Sequence, residues 1–244
     1  MYQIAIIKYL EEHGFEAFHP KAVLFDMDGV LYDSMPNHAI AWQRSMQKFG
    51  ISMTAADAYA TEGARGVDTI RMMVKQQQGR DISEEEAQRM YDEKTRQFHL
   101  MPETRIMPGI PELLALLHDY GIEMGVVTGS GQRPLIDRLL KDFGQYLQVE
   151  HITTAYDVKR GKPNPDPYLM GLKKAGDLQP WEAIVMENAP LGVRAGVAAR
   201  IFTIAVNTGP LPNASLLNEG ANLLFSDMLG LKQAFIENRD LLQL

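Results

Sequence analysis

Apolar and polar positions follow two rhythms along this chain. Short apolar runs of strand type recur as AVLF (22–25), IEMGVVT (122–128), VEHIT (149–153), EAIVME (182–187), IFTIAV (201–206) and NLLF (222–225). Between them lie amphipathic stretches such as PELLALLHDYG, RPLIDRLLKDFG and DPYLMGLKKAG, each closing on Gly as helices tend to. Strands alternating with helices predict a doubly wound α/β fold, a parallel sheet with helices on both faces. Ligands of such sheets bind at the carboxyl ends of the strands, which is where functional residues are expected.

One interval breaks the alternation. From about Pro36 to Pro108 the sequence reads as helix after helix with no strand candidate. Ala39, Trp42, Met46 and Phe49 recur at helical spacing, and Ser83 with Glu86 forms a capping box ahead of Ala87, Met90, Tyr91 and Phe98. This predicts a helical cap, residues 36–103, inserted after the first strand and placed over the sheet's carboxyl edge. Residues 1–35 and 104–244 are then the α/β catalytic core, with hinges near Asp33–Asn37 and Glu103–Gly109. The N-terminal MYQIAIIKYLEEHGFEAFHP reads as an extra amphipathic helix, since Glu11 and Glu12 follow its apolar stretch and no small-residue cleavage site does.

Composition narrows the partners. The chain has 244 residues, 45% hydrophobic and 23% charged, which is ordinary globular composition. A net charge of −7 makes nucleic acid and anionic lipid unexpected partners. A phosphate site on such a surface must be built locally, from a metal or a few placed cations. With no cysteine, disulfides and thiolate zinc sites are excluded. No apolar run approaches the ~18 residues of a membrane span, so a soluble cytoplasmic protein is expected. Oligomeric state is not legible.

The chemistry concentrates in FDMDGVLYDS, residues 25–34. Asp26 and Asp28 sit where a buried strand ends, and Gly29 gives the chain freedom to turn so that both acids reach one cavity. A carboxylate is a weak nucleophile and must approach a phosphate that is already negative, so it needs a bridging cation and close positioning. A second carboxyl beside it can protonate the leaving oxygen and later activate water. The chain here resembles the haloacid dehalogenase-like superfamily, in the branch of β-phosphoglucomutase and the small sugar-phosphate phosphatases. The likeness spans about Lys21 to Leu231 and rests on four motifs in order. It implies that Asp26 is the nucleophile and a Mg²⁺ ligand. Asp28 becomes the general acid/base, holding the metal through its backbone carbonyl.

The other motifs follow. VVTGS ends a strand at Thr128; its hydroxyl and the N–H groups of Gly129 and Ser130 suit phosphate oxygens, although Thr-Gly-Ser is also an ordinary loop. In GKPNPDPYL, prolines stiffen the chain around Lys162, whose ammonium can neutralise the attacking carboxylate and a phosphate oxygen. IVMENAPLGVRAG brings Glu187 and Asn188 to the same edge as metal ligands of the hard-oxygen kind that Mg²⁺ takes. The family pattern has two acids there; Asn188 ligates without charge, or caps the next helix. On the cap, Lys94 lies on an apolar stripe and either snorkels or meets the substrate phosphate. His38 and Arg65 are further candidates to contact the substrate.

Asp28 argues against dehalogenation, which does not need a second acid. Hydrolysis and mutase chemistry share every core residue, and Gly131–Gln132 stand where the mutase pattern has a cap-facing lysine. The expected function is Mg²⁺-dependent hydrolysis of a small sugar or polyol phosphate through an aspartyl phosphate. A β-phosphoglucomutase-type reaction is one alternative, and a non-catalytic sugar-phosphate-binding regulator is another.

Overall fold

All six apolar runs are strands of one parallel sheet. The structure, a computed structural model, describes residues 2–130 and 133–237. Gly131 and Gln132, read above as lacking a cation, lie outside the described residues. The chain runs α1 (Tyr2–His13), β1 (Ala22–Phe25), β2 (Tyr32–Asp33), α2 (Met35–Gln47), α3 (Ala55–Ala60), α4 (Gly66–Gln78) and α5 (Glu84–His99). It continues through β3 (Arg105–Ile106), α6 (Ile110–Asp119), β4 (Glu123–Val127), α7 (Arg133–Phe143), β5 (Ile152–Thr153) and α8 (Asp166–Lys174). The last part is β6 (Ala183–Glu187), α9 (Pro190–Ala198), β7 (Phe202–Val206), α10 (Asn213–Leu217), β8 (Leu223–Phe225) and α11 (Met228–Glu237).

The sheet order is β5-β4-β1-β6-β7-β8. From β1 the chain winds outward through β4 and β5, then returns to β6 and winds the other way. The topological switch therefore lies between β1 and β6, where open α/β sheets form their binding crevice. β1 is buried on both faces, as a continuous apolar run requires. Its alternate residues feed different layers. Val23 and Phe25 join the larger cluster with Leu113, Leu117 and Phe202. Ala22 and Leu24 join the opposite cluster with Tyr168, Leu172 and Val185.

Helix α1 is the N-terminal amphipathic helix expected from the sequence. It buries Ile6 and Tyr9 and leaves Ile4 and Ile7 exposed. The Tyr9 hydroxyl donates to the Arg200 carbonyl at 2.8 Å, and its ring meets Phe202 edge-on. Among the described residues no helix is long and apolar enough to cross a membrane.

Helices α2 to α5 enclose a hydrophobic cluster of their own, built on Trp42, Met46, Ile70, Met73, Ala87 and Met90. One expectation fails in this interval. It contains a strand, β3, which pairs antiparallel with β2 in the register Tyr32–Ile106 and Asp33–Arg105. The two connections expected as separate hinges are thus tied together as a ribbon. Two residues per strand are too few for any periodicity to register.

Candidate active site

The site forms where β1, β4 and β6 end. Asp26 directly follows β1, and its N–H still donates to the Met186 carbonyl of β6 at 2.9 Å, so the backbone that carries it is held by the sheet. Lys162 reaches under it from the segment before α8. Its Nζ donates to Asp26 Oδ1 at 2.6 Å, to Glu187 Oε1 at 2.6 Å and to the Val127 carbonyl at 2.9 Å. Three acceptors for three ammonium protons fix the charge in one place, and the residue is only 3% exposed. Tyr168, which sequence reasoning missed, completes the arrangement by donating to Glu187 Oε1 at 2.7 Å.

The remaining Glu187 oxygen accepts from the backbone N–H groups of Asn188 and Ala189, at 3.1 and 3.3 Å. Glycine at 192 makes this possible, because a Cβ there would fall 1.8 Å from Glu187 Oε1. The structure therefore engages both Glu187 oxygens with protein groups and sets the residue behind Lys162. It does not bring Glu187 to the cavity as a free ligand.

Asp28 is wired to the cap. Its Oδ1 accepts from Ser34 Oγ at 2.6 Å and faces His38 Nε2 at 3.1 Å. His38 Nδ1 in turn lies 2.7 Å from Lys94 Nζ. These partners assign the tautomer: Nε2–H donates to the carboxylate and Nδ1 accepts from the ammonium. Lys94 is 3% exposed among the rings of Trp42, Tyr91 and Phe98, so it does not snorkel. Burial opposes ionisation of Asp28, yet His38, Ser34 and Lys94 outweigh it and draw its pKa down to about 2. Burial also draws His38 down, with Lys94 adding to the effect against the pull of Asp28.

Burial draws Lys94 down to about 8, although Asp28 pulls it up. The unfolded chain holds that proton to about pH 10.4, so the fold carries a cost of roughly 3 kcal/mol below about pH 8. This cost lifts as pH rises from about 8 to about 10.4, because there the unfolded chain binds more protons than the folded one. Lys94→Met is accordingly expected to raise Tm near neutral pH by several degrees while lowering activity. Thermal melts should show the gain vanish above about pH 10.4; no gain near neutral pH refutes the assignment.

Thr128, Gly129 and Ser130 line the cleft with Asp26, Asp28, His38 and Lys94. The Ser130 N–H donates to Thr128 Oγ1 at 3.0 Å. A Cβ at position 129 would sit 2.7 Å from the Gly63 carbonyl, so the cap loop lies directly on this turn. With the cap in this position the cleft holds about 60 Å³ of free space. Arg65 is not brought to it. It makes a bidentate pair with Asp68, at 2.7 and 3.0 Å, and borders a neighbouring cavity with Arg160 and Asn164.

Two features bear on a metal. Among the described residues, the carboxylates of Asp26, Asp28, Glu62 and Glu187 gather around two ammonium groups, those of Lys94 and Lys162. Burial raises the Asp26 pKa; Lys162 lowers it, and Glu187 and Asp28 raise it again, leaving a net rise. A phosphate dianion entering here adds charge of the wrong sign. In addition, Asn188 Oδ1 is buried without a hydrogen-bond partner. No three His, Cys, Asp or Glu side chains converge as a ready cage among the described residues. Mg²⁺ takes few protein oxygens and leaves other positions to water and phosphate. The donors present, Asp26, Asn188 Oδ1 and the Asp28 carbonyl, fit it.

A family model described as haloacid dehalogenase-like hydrolase matches residues 23–206. The chain belongs to that family. Among curated relatives of this chain, the Escherichia coli K12 hexitol phosphatase A is 35% identical, over 77% of this chain and 83% of that protein. The Bacillus subtilis β-phosphoglucomutase is 26% identical, over 81% and 88%. A solved structure from Bacteroides vulgatus, described as a candidate β-phosphoglucomutase, superposes with a TM-score of 0.95 at 49% identity, covering 100% of this chain and 98% of that one. The chain is thus an enzyme of the haloacid dehalogenase-like family whose relatives are phosphatases and phosphoglucomutases.

Proposed function

We propose that this enzyme transfers a phosphoryl group from a small sugar or polyol phosphate to Asp26 and then to water. The observation that carries the reading is Lys162. It holds one Asp26 oxygen, with Glu187 and Tyr168 locking the ammonium from behind. In the first step an Asp26 oxygen bonds to phosphorus as the ester P–O bond breaks, and the departing oxygen takes a proton from the Asp28 carboxyl. In the second, water attacks phosphorus, gives its proton to the Asp28 carboxylate, and displaces Asp26 with release of inorganic phosphate.

Asp28 must therefore be protonated at the start, although it is an anion in the free site. An arriving phosphate raises its proton affinity by adding negative charge beside it. His38, bonded between Lys94 and Asp28, is placed to pass the proton on. Asp26, Asn188 Oδ1 and the Asp28 carbonyl would hold Mg²⁺, which neutralises phosphate charge when bound. Thr128 and the Gly129–Ser130 turn are the phosphate cradle, and the residue 36–103 cap closes over it.

Mutase chemistry is the second reading. It draws support from the closed cap, since His38, Glu62 and Lys94 are all buried and water must be kept from a phosphoenzyme that awaits a sugar hydroxyl. The partition between the two is measurable. β-Glucose 1-phosphate with catalytic glucose 1,6-bisphosphate and Mg²⁺ is expected to yield free phosphate with little glucose 6-phosphate. Efficient isomerisation without phosphate release would replace the phosphatase reading by the mutase one.

A further inference from the structure

The cap contributes one buried carboxylate that the reaction above does not use. Glu62, in the loop between α3 and α4, lines the cleft and is 7% exposed. Its Oε1 accepts a hydrogen bond from Asn188 Nδ2 at 3.0 Å. That bond decides how the Asn188 amide faces. With Nδ2 committed to Glu62, Oδ1 is the atom left over, and it is the buried oxygen that finds no partner. Glycine at 29 is required for the pair: a Cβ there would fall 2.0 Å from Asn188 Nδ2 and 3.1 Å from Glu62 Oε1.

We infer that Glu62 is a positioning residue of the metal site. It locks the Asn188 amide with Oδ1 toward the cation held by Asp26, and it supplies from the cap the negative charge that neutral Asn188 lacks. This rests on the metal reading given above. The core charges that act on Glu62 include Asp26, Glu187 and Asp28, all carboxylates. Burial and this like charge disfavour the ionised Glu62 carboxyl, and a divalent cation among the acids reverses the interaction. Lys162 does not relieve it, because its three protons are committed to Asp26, Glu187 and the Val127 carbonyl. Glu62 belongs to the cap and Asn188 to the segment after β6. A cation bound beside them therefore ties the cap to the core, and cap closure and metal affinity strengthen each other by linkage.

The test measures binding rather than turnover. Mn²⁺ is titrated into the full-length protein without substrate, and free Mn²⁺ is counted by electron paramagnetic resonance. Glu62→Gln keeps the size of the side chain and an oxygen to accept from Asn188, so only charge is removed. It is expected to weaken Mn²⁺ binding about 10–100-fold. Glu62→Ala also frees the amide and should weaken it at least as much. The exchange Glu62→Gln with Asn188→Asp moves the charge from cap to core and should recover most of the lost affinity, which a merely structural role would not produce. Wild-type affinity in Glu62→Gln, or a double variant no tighter than Glu62→Gln, overturns the assignment. Asp26→Asn separates the two readings. If it leaves Mn²⁺ affinity unchanged, the metal reading itself fails. If it abolishes binding while Glu62→Gln does not weaken it, only the role of Glu62 fails.

Discussion

Asp26→Asn is expected to lower kcat to background, a loss on the order of 10³-fold or more for a covalent nucleophile. An amide cannot form the acyl phosphate, so the first bond of the reaction is not made. The substitution is otherwise mild. Asparagine keeps an oxygen where Lys162 Nζ now donates at 2.6 Å, and the backbone N–H bond to Met186 does not depend on the side chain. A Tm close to wild type should therefore accompany the loss, which separates chemistry from collapse of the site. Beryllium or aluminium fluoride should bind wild type against Asp26, with slowed hydrogen exchange around Thr128–Ser130, and leave Asp26→Asn unaffected. Activity of Asp26→Asn within tenfold of wild type would falsify the nucleophile assignment.

The outline of this site was legible in the sequence because the sheet does the positioning. Asp26, Thr128 and Asn188 each follow a strand that reads as a buried apolar run, and parallel pairing of β1 with β4 and β6 places their ends side by side. Lys162 needs only a chain that passes the same edge, which the segment before α8 does. What the sequence could not show was who holds whom. Glu187 reads as a metal ligand from its position, yet its oxygens are taken by Lys162, Tyr168 and two backbone N–H groups. That outcome depends on Gly192 admitting the carboxylate and on a tyrosine 19 residues earlier in the chain, neither of which leaves a pattern in a single chain.

The cap was legible as helices and illegible as a site. Lys94 stood out because a charge on an apolar stripe needs a reason, and the reason is His38, 56 residues earlier, stacked on Phe98 with centroids 4.1 Å apart. Arg65 and Glu62 occupy the same short loop, EGARG, from which the sequence reading took Arg65 as a candidate substrate contact and passed over Glu62. The fold turns Arg65 outward to Asp68 and sends Glu62 inward to Asn188. A loop of five residues has no periodicity from which to read inside and outside. The one available signal was charge accounting: an amide at position 188 where an anion was expected leaves an anion to be found elsewhere.

Asp28→Asn is expected to slow turnover of alkyl phosphates by about 10²–10⁴-fold, the usual contribution of a placed general acid/base. The site should survive the change, since an oxygen remains to accept from Ser34 and His38, and any metal contact through the backbone carbonyl is untouched. The loss should depend on the leaving group. A sugar oxygen leaves as a strongly basic alkoxide and needs its proton in the transition state, whereas p-nitrophenolate leaves without one. With p-nitrophenyl phosphate, then, Asp26 should still be phosphorylated quickly by the variant. The second step still fails, because no carboxylate remains to take a proton from water. Rapid mixing should show a burst of p-nitrophenolate equal to the enzyme concentration, followed by slow steady-state release, with phospho-Asp26 accumulating. Equal losses for alkyl and aryl esters, with Asp26 phosphorylation rate-limiting for both, would sink the acid role and leave Asp28 as a carboxylate that only orients His38 and Lys94.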